Sequence, residues 1–245
     1  MSEILVARAK LTFSLRVTGV RADGYHLIDA EMATLDLADE LTVERGQSGL
    51  EVVGPYAGGV PVDDTNLVAR ALRRAGVTAW VRVDKRIPHG GGLGGGSADA
   101  AAVLRWAGVT DPSVAAELGA DVPFCLVGGR ARVRGIGEFV EPLPFEQRVV
   151  TLVVPPLTVS TPAVYRAWDD LGGPAGETGN DLEPAALAVE PRLGDWRDRI
   201  GEATGERPLL AGSGAAWLVP GERDDALAPL RSEGAAVIVT RTVAG

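Results

Sequence analysis

An α+β fold built from two domains is what this chain of 245 residues predicts, and three observations predict it. Strand and helix patterns mix in the first half without a regular strand–helix–strand repeat, which argues against a simple parallel sheet. A continuous apolar run at 149–154 then restarts the pattern just after Pro142 and Pro144, dividing the chain near residue 146 into 1–145 and 146–245. The second half reads strand, helices, strand, helix, strand, the order a small α/β sandwich needs.

The elements follow in order. Leu11, Phe13, Leu15 and Val17 alternate with Thr12, Ser14, Arg16 and Thr18, the period of two of a half-buried strand. Asp23-Gly24 marks a turn over 21–26, and short strands are expected at 41–44 and 50–53. Thr65 is placed as the cap of a helix over 66–75 that Gly76 stops. Val81 and Val83 alternate with Arg82 and Asp84, giving a strand over 80–86. Ser97 opens an Ala-rich helix ending at Gly108. Asp111-Pro112 opens a short helix in cap-then-proline order, and Gly119 closes it. The stretch 119–124 is read as a loop, and 130–143 as a hairpin turning at Gly135 to Gly137. In the second half, 149–154 is a buried central strand. Thr161-Pro162 starts a helix to Leu171, and 172–179 is a glycine-rich connection. Helices at 184–189 and 193–203, a strand at 215–219, a helix at 224–232 and a strand at 236–240 complete the chain.

Composition narrows function. With 24 Lys+Arg against 33 Asp+Glu the net charge is −9, which argues against a broad nucleic-acid-binding face and leaves room for a local basic pocket. One cysteine, Cys125, excludes an intramolecular disulfide framework or a Cys-based zinc site, and two histidines make a His-rich metal site unexpected. No run approaches the roughly 18 apolar residues of a membrane span. The first residues lack a secretory pattern, so the expectation is a cytoplasmic protein with no membrane partner.

Of 32 glycines, those at 90, 91, 92, 94, 95 and 96 crowd into H-G-G-G-L-G-G-G-S, between a strand and a helix. A helix N-terminus presents unpaired N–H groups and a partial positive charge. Glycines before it let backbone wrap an anion without Cβ clashes. A flexible linker is the alternative, opposed by Leu93 in the middle and by regular elements on both sides. The run lacks the Gly-Lys of a Walker A loop and the βαβ setting of a dinucleotide fingerprint. A phosphate cradle without that lysine needs charge and a base from elsewhere. Lys10 and Lys85 are the chain's two lysines, and Asp121 sits between Gly119 and Pro123. Taken alone, Asp121 reads more readily as a helix cap than as a base, and Lys10 more readily as a solvated strand end.

Three segments together resemble a known family: A-R-A-K-L-T-F-S-L-R-V-T-G-V-R-A-D-G-Y-H (7–26), K-R-I-P-H-G-G-G-L-G-G-G-S-A-D-A-A (85–101) and L-G-A-D-V-P-F (118–124). They are similar to the 4-diphosphocytidyl-2-C-methyl-D-erythritol kinases of the GHMP kinase superfamily. D-T-N-L-V-A-R-A, S-T-P-A-V-Y, N-D-L-E-P and G-S-G-A follow in family order. The resemblance implies a GHMP two-domain architecture, with an N-terminal domain like ribosomal protein S5 domain 2 and a C-terminal ferredoxin-like sandwich. It implies ATP-dependent phosphorylation of the 2-hydroxyl of a cytidine-diphosphate-linked methylerythritol, with Mg²⁺ arriving on ATP, a small-molecule partner and no nucleic acid. Monomer or homodimer is left open. Carried over by residue, Asp121 matches the catalytic base and Lys10 its charged partner. Pro88, His89, Gly90, Gly91, Gly92, Leu93, Gly94, Gly95, Gly96, Ser97 and Ala98 match the ATP-phosphate loop, and Asn66 and Lys85 positions near the nucleoside. Tyr25, His26 and Tyr165 match a cytosine pocket, with the two tyrosines on opposite faces of the base. Thr12, Thr161, Gly212 and Ser213 match further substrate positions. The chain departs from the family pattern at Arg8 (usually Pro), Thr12 (usually Asn), Ala98 (usually Ser) and Ala211 (often Ser or Thr).

Overall fold

The computed structural model describes residues 2–245. Its first half is a six-stranded sheet built on one long hairpin. Strand β1 (Ser2–Val20) pairs antiparallel along its length with β2 (His26–Arg45). The other edge of β2 is shared, with β5 (Arg130–Gly135) on residues 28–33 and β4 (Ala79–Asp84) on 40–45. β3 (Gly49–Val53) adds parallel to β4, and β6 (Phe139–Pro142) closes the far edge on β5. The expected short strand at 41–44 is therefore only the end of a 20-residue strand.

Four helices accompany this sheet. α1 (Leu67–Ala75) is capped by Asn66, whose side chain accepts from the Val68 N–H, and ends on left-handed Gly76. The cap thus lies one residue beyond the expected Thr65, whose own N–H and hydroxyl bond to Asp63. α2 (Gly95–Trp106) starts two residues before Ser97, inside the glycine run, and buries Ala98 through Leu104. α3 (Pro112–Ala116) follows its Asp111 cap. α4 (Val122–Val127) replaces the loop expected after Gly119, and Asp121 takes its N-cap position.

The second half is a four-stranded antiparallel sheet of β7 (Val149–Val154), β8 (Leu209–Leu210), β9 (Trp217–Pro220) and β10 (Ala236–Arg241), in the order β10-β7-β9-β8. Numbered within this half, that order is 4-1-3-2, the ferredoxin-like arrangement the resemblance implied. Helices α5 (Thr161–Asp170), α6 (Glu183–Val189) and α7 (Arg192–Thr204) fall between β7 and β8. The single helix expected over 224–232 is a short α8 (Asp224–Leu227) continued by a 3₁₀ turn over Ala228–Glu233, with Pro229 at its start.

Two apolar clusters hold the molecule. The larger runs through the sheet–helix layers of both halves. The smaller is the seam between the two sheets: Ala9, Leu11, Leu35, Ile87 and Leu93 from the first meet Val150, Leu152, Val154, Ala211, Ala216 and Leu218 from the second. This is why β7 is apolar on both faces, with Val153 in one cluster and its neighbours Leu152 and Val154 in the other. β1 serves both clusters because its register shifts between Thr12 and Ser14. One extra residue in a strand exchanges its faces, so Leu11 joins the seam and Leu15 the larger core. Among the described residues no helix is long and apolar enough to cross a membrane.

Candidate functional site

The glycine run is packed, not loose. Leu93 is buried in the seam, worth roughly 1.5–3 kcal/mol for such a side chain, and its carbonyl accepts from the Lys10 N–H at 3.0 Å. The carbonyls of Gly90 and Gly91 accept from Ala215 and Ala216 of the second half. Gly92 and Gly94 are left-handed, at φ +71° and +68°. A Cβ on Gly92 would stand 2.7 Å from the Ala211 carbonyl oxygen, and one on Gly94 would stand 2.8 Å from the Lys10 Cγ. Glycine is thus needed both for the turn and to let Lys10 pass. The first intrahelical bond of α2 is Ala98 N–H to Gly94 O, so the N–H groups of Gly95, Gly96 and Ser97 have no partner within the helix.

Two cavities open against this loop. One, of about 430 Å³, is lined by Pro88, His89, Gly90, Gly92 through Ser97, Asn66, Lys85 and Asp99. Gly91 and Ala98, also assigned to the phosphate loop from the sequence, do not line it. Gly91 packs toward Val154 and Ala216, and Ala98 is core. Asn66 reaches the wall with its amide already used, for the α1 cap and for a bond to the Pro61 carbonyl. The second cavity, of about 610 Å³, gathers Lys10, Thr12, Tyr25, His26, Asp121, Thr161, Tyr165, Gly212 and Ser213. Gly92 and Ser97 line both cavities.

Lys10 and Asp121, 111 positions apart, form an ion pair at 3.4 Å between Nζ and Oδ2. The register shift between Arg8 and Lys10 re-aims this side chain. Lys10 is buried and also donates to the Thr12 hydroxyl at 3.2 Å. Asp121 stands at the α4 N-cap but makes no capping bond, so its carboxylate is free for the cavity, where its side chain is 34% exposed. Burial, then the Asp121 charge, pushes the Tyr165 hydroxyl up to about 12. The same two causes hold the Cys125 thiol up at about 12, which leaves it protonated and without a nucleophilic role.

Lys85 sits beneath the loop, and its ammonium is spent on two buried carboxylates. It donates to Asp39 and, at 2.7 Å, to Asp99. Burial pulls its pKa down, but Asp99 and Asp39 outweigh that and leave it raised. Asp39 also accepts from the Arg86 and Ile87 N–H groups at 2.6 and 2.8 Å, which fixes the chain entering the loop. Asp99 keeps one oxygen, Oδ1, without a hydrogen-bond partner among the described residues. Neither aspartate was singled out from the sequence. The available signal was an Asp within the Ala-rich start of a helix, two residues after Ser97.

At the far end of the second cavity, the turn over 21–25 and helix α5 meet. The His26 ring lies 4.7 Å from the Tyr165 ring at 31° and edge-on to Trp168 at 5.6 Å. Tyr25 is 59% exposed on the rim. Thr161 and Ser213 share a 2.7 Å hydrogen bond across the cavity. Asn180 supports the Gly212-Ser213 turn by donating to the Leu210 and Gly212 carbonyls. Asp181 accepts from Arg16 and from the Val17 N–H, tying this region to β1. Arg166 and Asp169 also line the cavity and were missed. Their one sequence signal is position, one and four residues after Tyr165 on the same helix.

The chain matches the GHMP kinases N terminal domain family over residues 65–129. It is 41% identical to the 4-diphosphocytidyl-2-C-methyl-D-erythritol kinase of Paracoccus denitrificans, over 85% of this chain and 83% of that one. It is 40% identical to the kinase of the same name from Cereibacter sphaeroides, over 85% and 86%. The crystal structure of a 4-(cytidine 5'-diphospho)-2C-methyl-D-erythritol kinase superposes with a TM-score of 0.78 and 36% identity, covering 99% of this chain and 100% of that one. A homoserine kinase from Cytophaga hutchinsonii shares the fold, with a TM-score of 0.63 and 20% identity over 98% and 95%.

Proposed function

Because the chain belongs to the 4-diphosphocytidyl-2-C-methyl-D-erythritol kinases of the GHMP kinase superfamily, we propose that its two cavities divide the work of that reaction. The protein is an ATP-dependent kinase that phosphorylates the 2-hydroxyl of 4-diphosphocytidyl-2-C-methyl-D-erythritol, in the non-mevalonate route to isoprenoid precursors. The smaller cavity holds ATP, and the larger holds the cytidine-linked acceptor. The fit on the ATP side rests on the glycine cradle, where a Cβ has no room, and on three helix-start N–H groups that suit phosphate.

Asp121 accepts the proton of the attacking hydroxyl as that oxygen bonds to the transferred phosphorus. Lys10 steadies the Asp121 carboxylate and the negative charge that develops beside it. The loop N–H groups take up charge on the departing diphosphate, so positioning and electrostatics carry the transfer. Mg²⁺ supplies further neutralisation of phosphate charge when bound. The ion would arrive on the nucleotide phosphates. Thr12 sits where the family pattern has Asn, and its hydroxyl orients Lys10 as well as facing the acceptor. Arg166, exposed on the wall of the larger cavity, is placed to meet the acceptor's own diphosphate. The cytosine lies against Tyr25, His26 and Tyr165. The net charge of −9 fits a small-molecule partner better than a nucleic acid, and a cytoplasmic location fits such a substrate.

The observation that carries this reading is the Lys10–Asp121 pair in a cavity that shares Gly92 and Ser97 with the glycine cradle. Acceptor-dependent ADP release tests it. Asp121→Asn should lower kcat by about 10²–10⁴-fold, the usual contribution of a positioned base, and leave ATP affinity by calorimetry unchanged. Normal turnover in a folded Asp121→Asn protein, or no acceptor-dependent turnover in the natural one, overturns it.

A further inference from the structure

His26 makes one side-chain hydrogen bond among the described residues, and the proposed function does not use it. Its Nε2 lies 2.8 Å from Oδ1 of Asp169, which α5 delivers from 143 positions away. The histidine side chain is 8% exposed, between the Tyr165 face and the Trp168 edge, whereas the Asp169 side chain is 47% exposed. Trp168 cannot compete for the ring, because its own N–H donates to the Pro174 carbonyl. An ionised carboxylate only accepts hydrogen bonds, so the hydrogen between the two groups belongs to Nε2. In a neutral imidazole one nitrogen carries the hydrogen and the other offers a lone pair. The contact with Asp169 therefore leaves Nδ1, the ring's remaining polar atom, as an acceptor, and Nδ1 has no hydrogen-bond partner among the described residues.

An acceptor at this place distinguishes pyrimidines. Cytosine carries an exocyclic amino group that donates to a lone pair. Uracil carries a carbonyl oxygen at the same position, which would oppose lone pair to lone pair. We propose that Asp169 is a positioning and specificity-determining residue, which holds His26 in the Nε2–H tautomer so that the cavity selects the amino edge of a cytidine diphosphate over the oxo edge of a uridine diphosphate. The inference rests on the reading of the larger cavity as the acceptor site. Asp169 touches no substrate; it acts through His26.

Two measurements test it. The chain has two histidines, so ¹⁵N-histidine labelling yields two ring systems, and His89→Gln assigns them. The natural protein should show His26 protonated at Nε2 and bare at Nδ1; a hydrogen on Nδ1 overturns the proposal with no variant needed at Asp169. In the second, CDP and UDP affinities are measured by calorimetry, with KM and kcat for the acceptor, in the natural protein, Asp169→Ala and Asp169→Asn. Asp169→Ala should lose about tenfold of the CDP-over-UDP preference, the scale on which losing an orienting partner of a histidine acts. Acceptor KM should rise in parallel while kcat stays within about twofold. Asp169→Asn keeps an oxygen acceptor for Nε2–H and should recover most of the preference. Equal losses for CDP and UDP in Asp169→Ala, or an unchanged ratio in folded protein, overturn the proposal. If the natural protein neither binds CDP nor turns over the acceptor, the reading of the cavity has failed, and the tautomer measurement still decides the role of Asp169.

Discussion

Replacing Gly92 by Ala separates a packed cradle from a merely supple loop, provided Gly90→Ala is measured beside it. Both glycines are left-handed, at φ +71° and +76°, so alanine at either costs about 1–2 kcal/mol of backbone strain. Their surroundings differ. A Cβ on Gly90 meets nothing within 4 Å, whereas one on Gly92 stands 2.7 Å from the Ala211 carbonyl oxygen and 3.0 Å from that of Gly214. Those oxygens belong to a turn of the second half and cannot swing aside as a side chain can, so Gly92→Ala adds about 1–3 kcal/mol of overpacking. Gly90→Ala should then cost about 1–2 kcal/mol and Gly92→Ala about 2–5 kcal/mol. At about 2–4 °C per kcal/mol for a chain of this size, the first lowers Tm by roughly 2–8 °C and the second by clearly more. Thermal and urea unfolding followed by circular dichroism read both. Equal losses within about 0.5 kcal/mol, the scatter of such comparisons, would refute the claim that the loop is wedged against the 211–214 turn.

Two further outcomes follow from the same geometry. Tyr25→Ala removes one proposed stacking face, worth about 1–3 kcal/mol per base. Acceptor KM should therefore rise about 5- to 150-fold with ATP KM within about twofold, and equal changes in both would count against a cytosine site. Asp99 supplies a pH test. Burial raises its carboxyl from 3.8 to about 7, with Lys85 lowering it and Asp39 raising it. The folded chain then holds this proton more tightly than the unfolded one, so the Asp99 contribution to stability falls as pH rises from about 4 to about 7. Asparagine cannot ionise and lacks this slope. Urea midpoints should show Asp99→Asn gaining on the natural chain between pH 5 and pH 8, and a constant gap would show that Asp99 is not raised.

The α+β class and the glycine cradle were legible because both are written locally, in periodicity and in one dense run between a strand and a helix. The length of β2 was not. Its first part, H-L-I-D-A-E-M-A-T-L-D, is rich in Ala, Asp and Glu, which are depleted from strands, and it is held extended by pairing along both edges. α4 was hidden because V-P-F-C-L-V shows no helical period over six residues. The shift between Thr12 and Ser14 leaves no mark in the alternation of Leu11 to Val17, yet it decides which core each residue enters. The Lys10–Asp121 pair and the pocket holding His26 and Tyr165 join distant segments, and only the family resemblance brought them together beforehand; it set Tyr165 opposite Tyr25, whereas the ring packed on Tyr165 is that of His26. Asp39 and Asp169 lie in no such motif, and Asp99, although inside the 85–101 segment, had no role assigned to it. They became visible only once folding placed them beside residues already under suspicion.

The seam between the sheets has a consequence for how the molecule is made. Lys10 lies on the first strand, and the Gly212-Ser213 turn that borders the same cavity comes about 200 residues later. At about 5–20 residues per second a ribosome needs roughly 10–40 s to cover that span. Once β2 is made, β1 can pair with it, but Leu11, and later Leu93, lack the Val150 and Leu152 surface until β7 is made and the Ala211 surface until the end of that span. The nascent first sheet therefore waits with an apolar face uncovered. Completion of the cavity, closing of the seam and loss of that aggregation-prone face all await the same late segment of the chain.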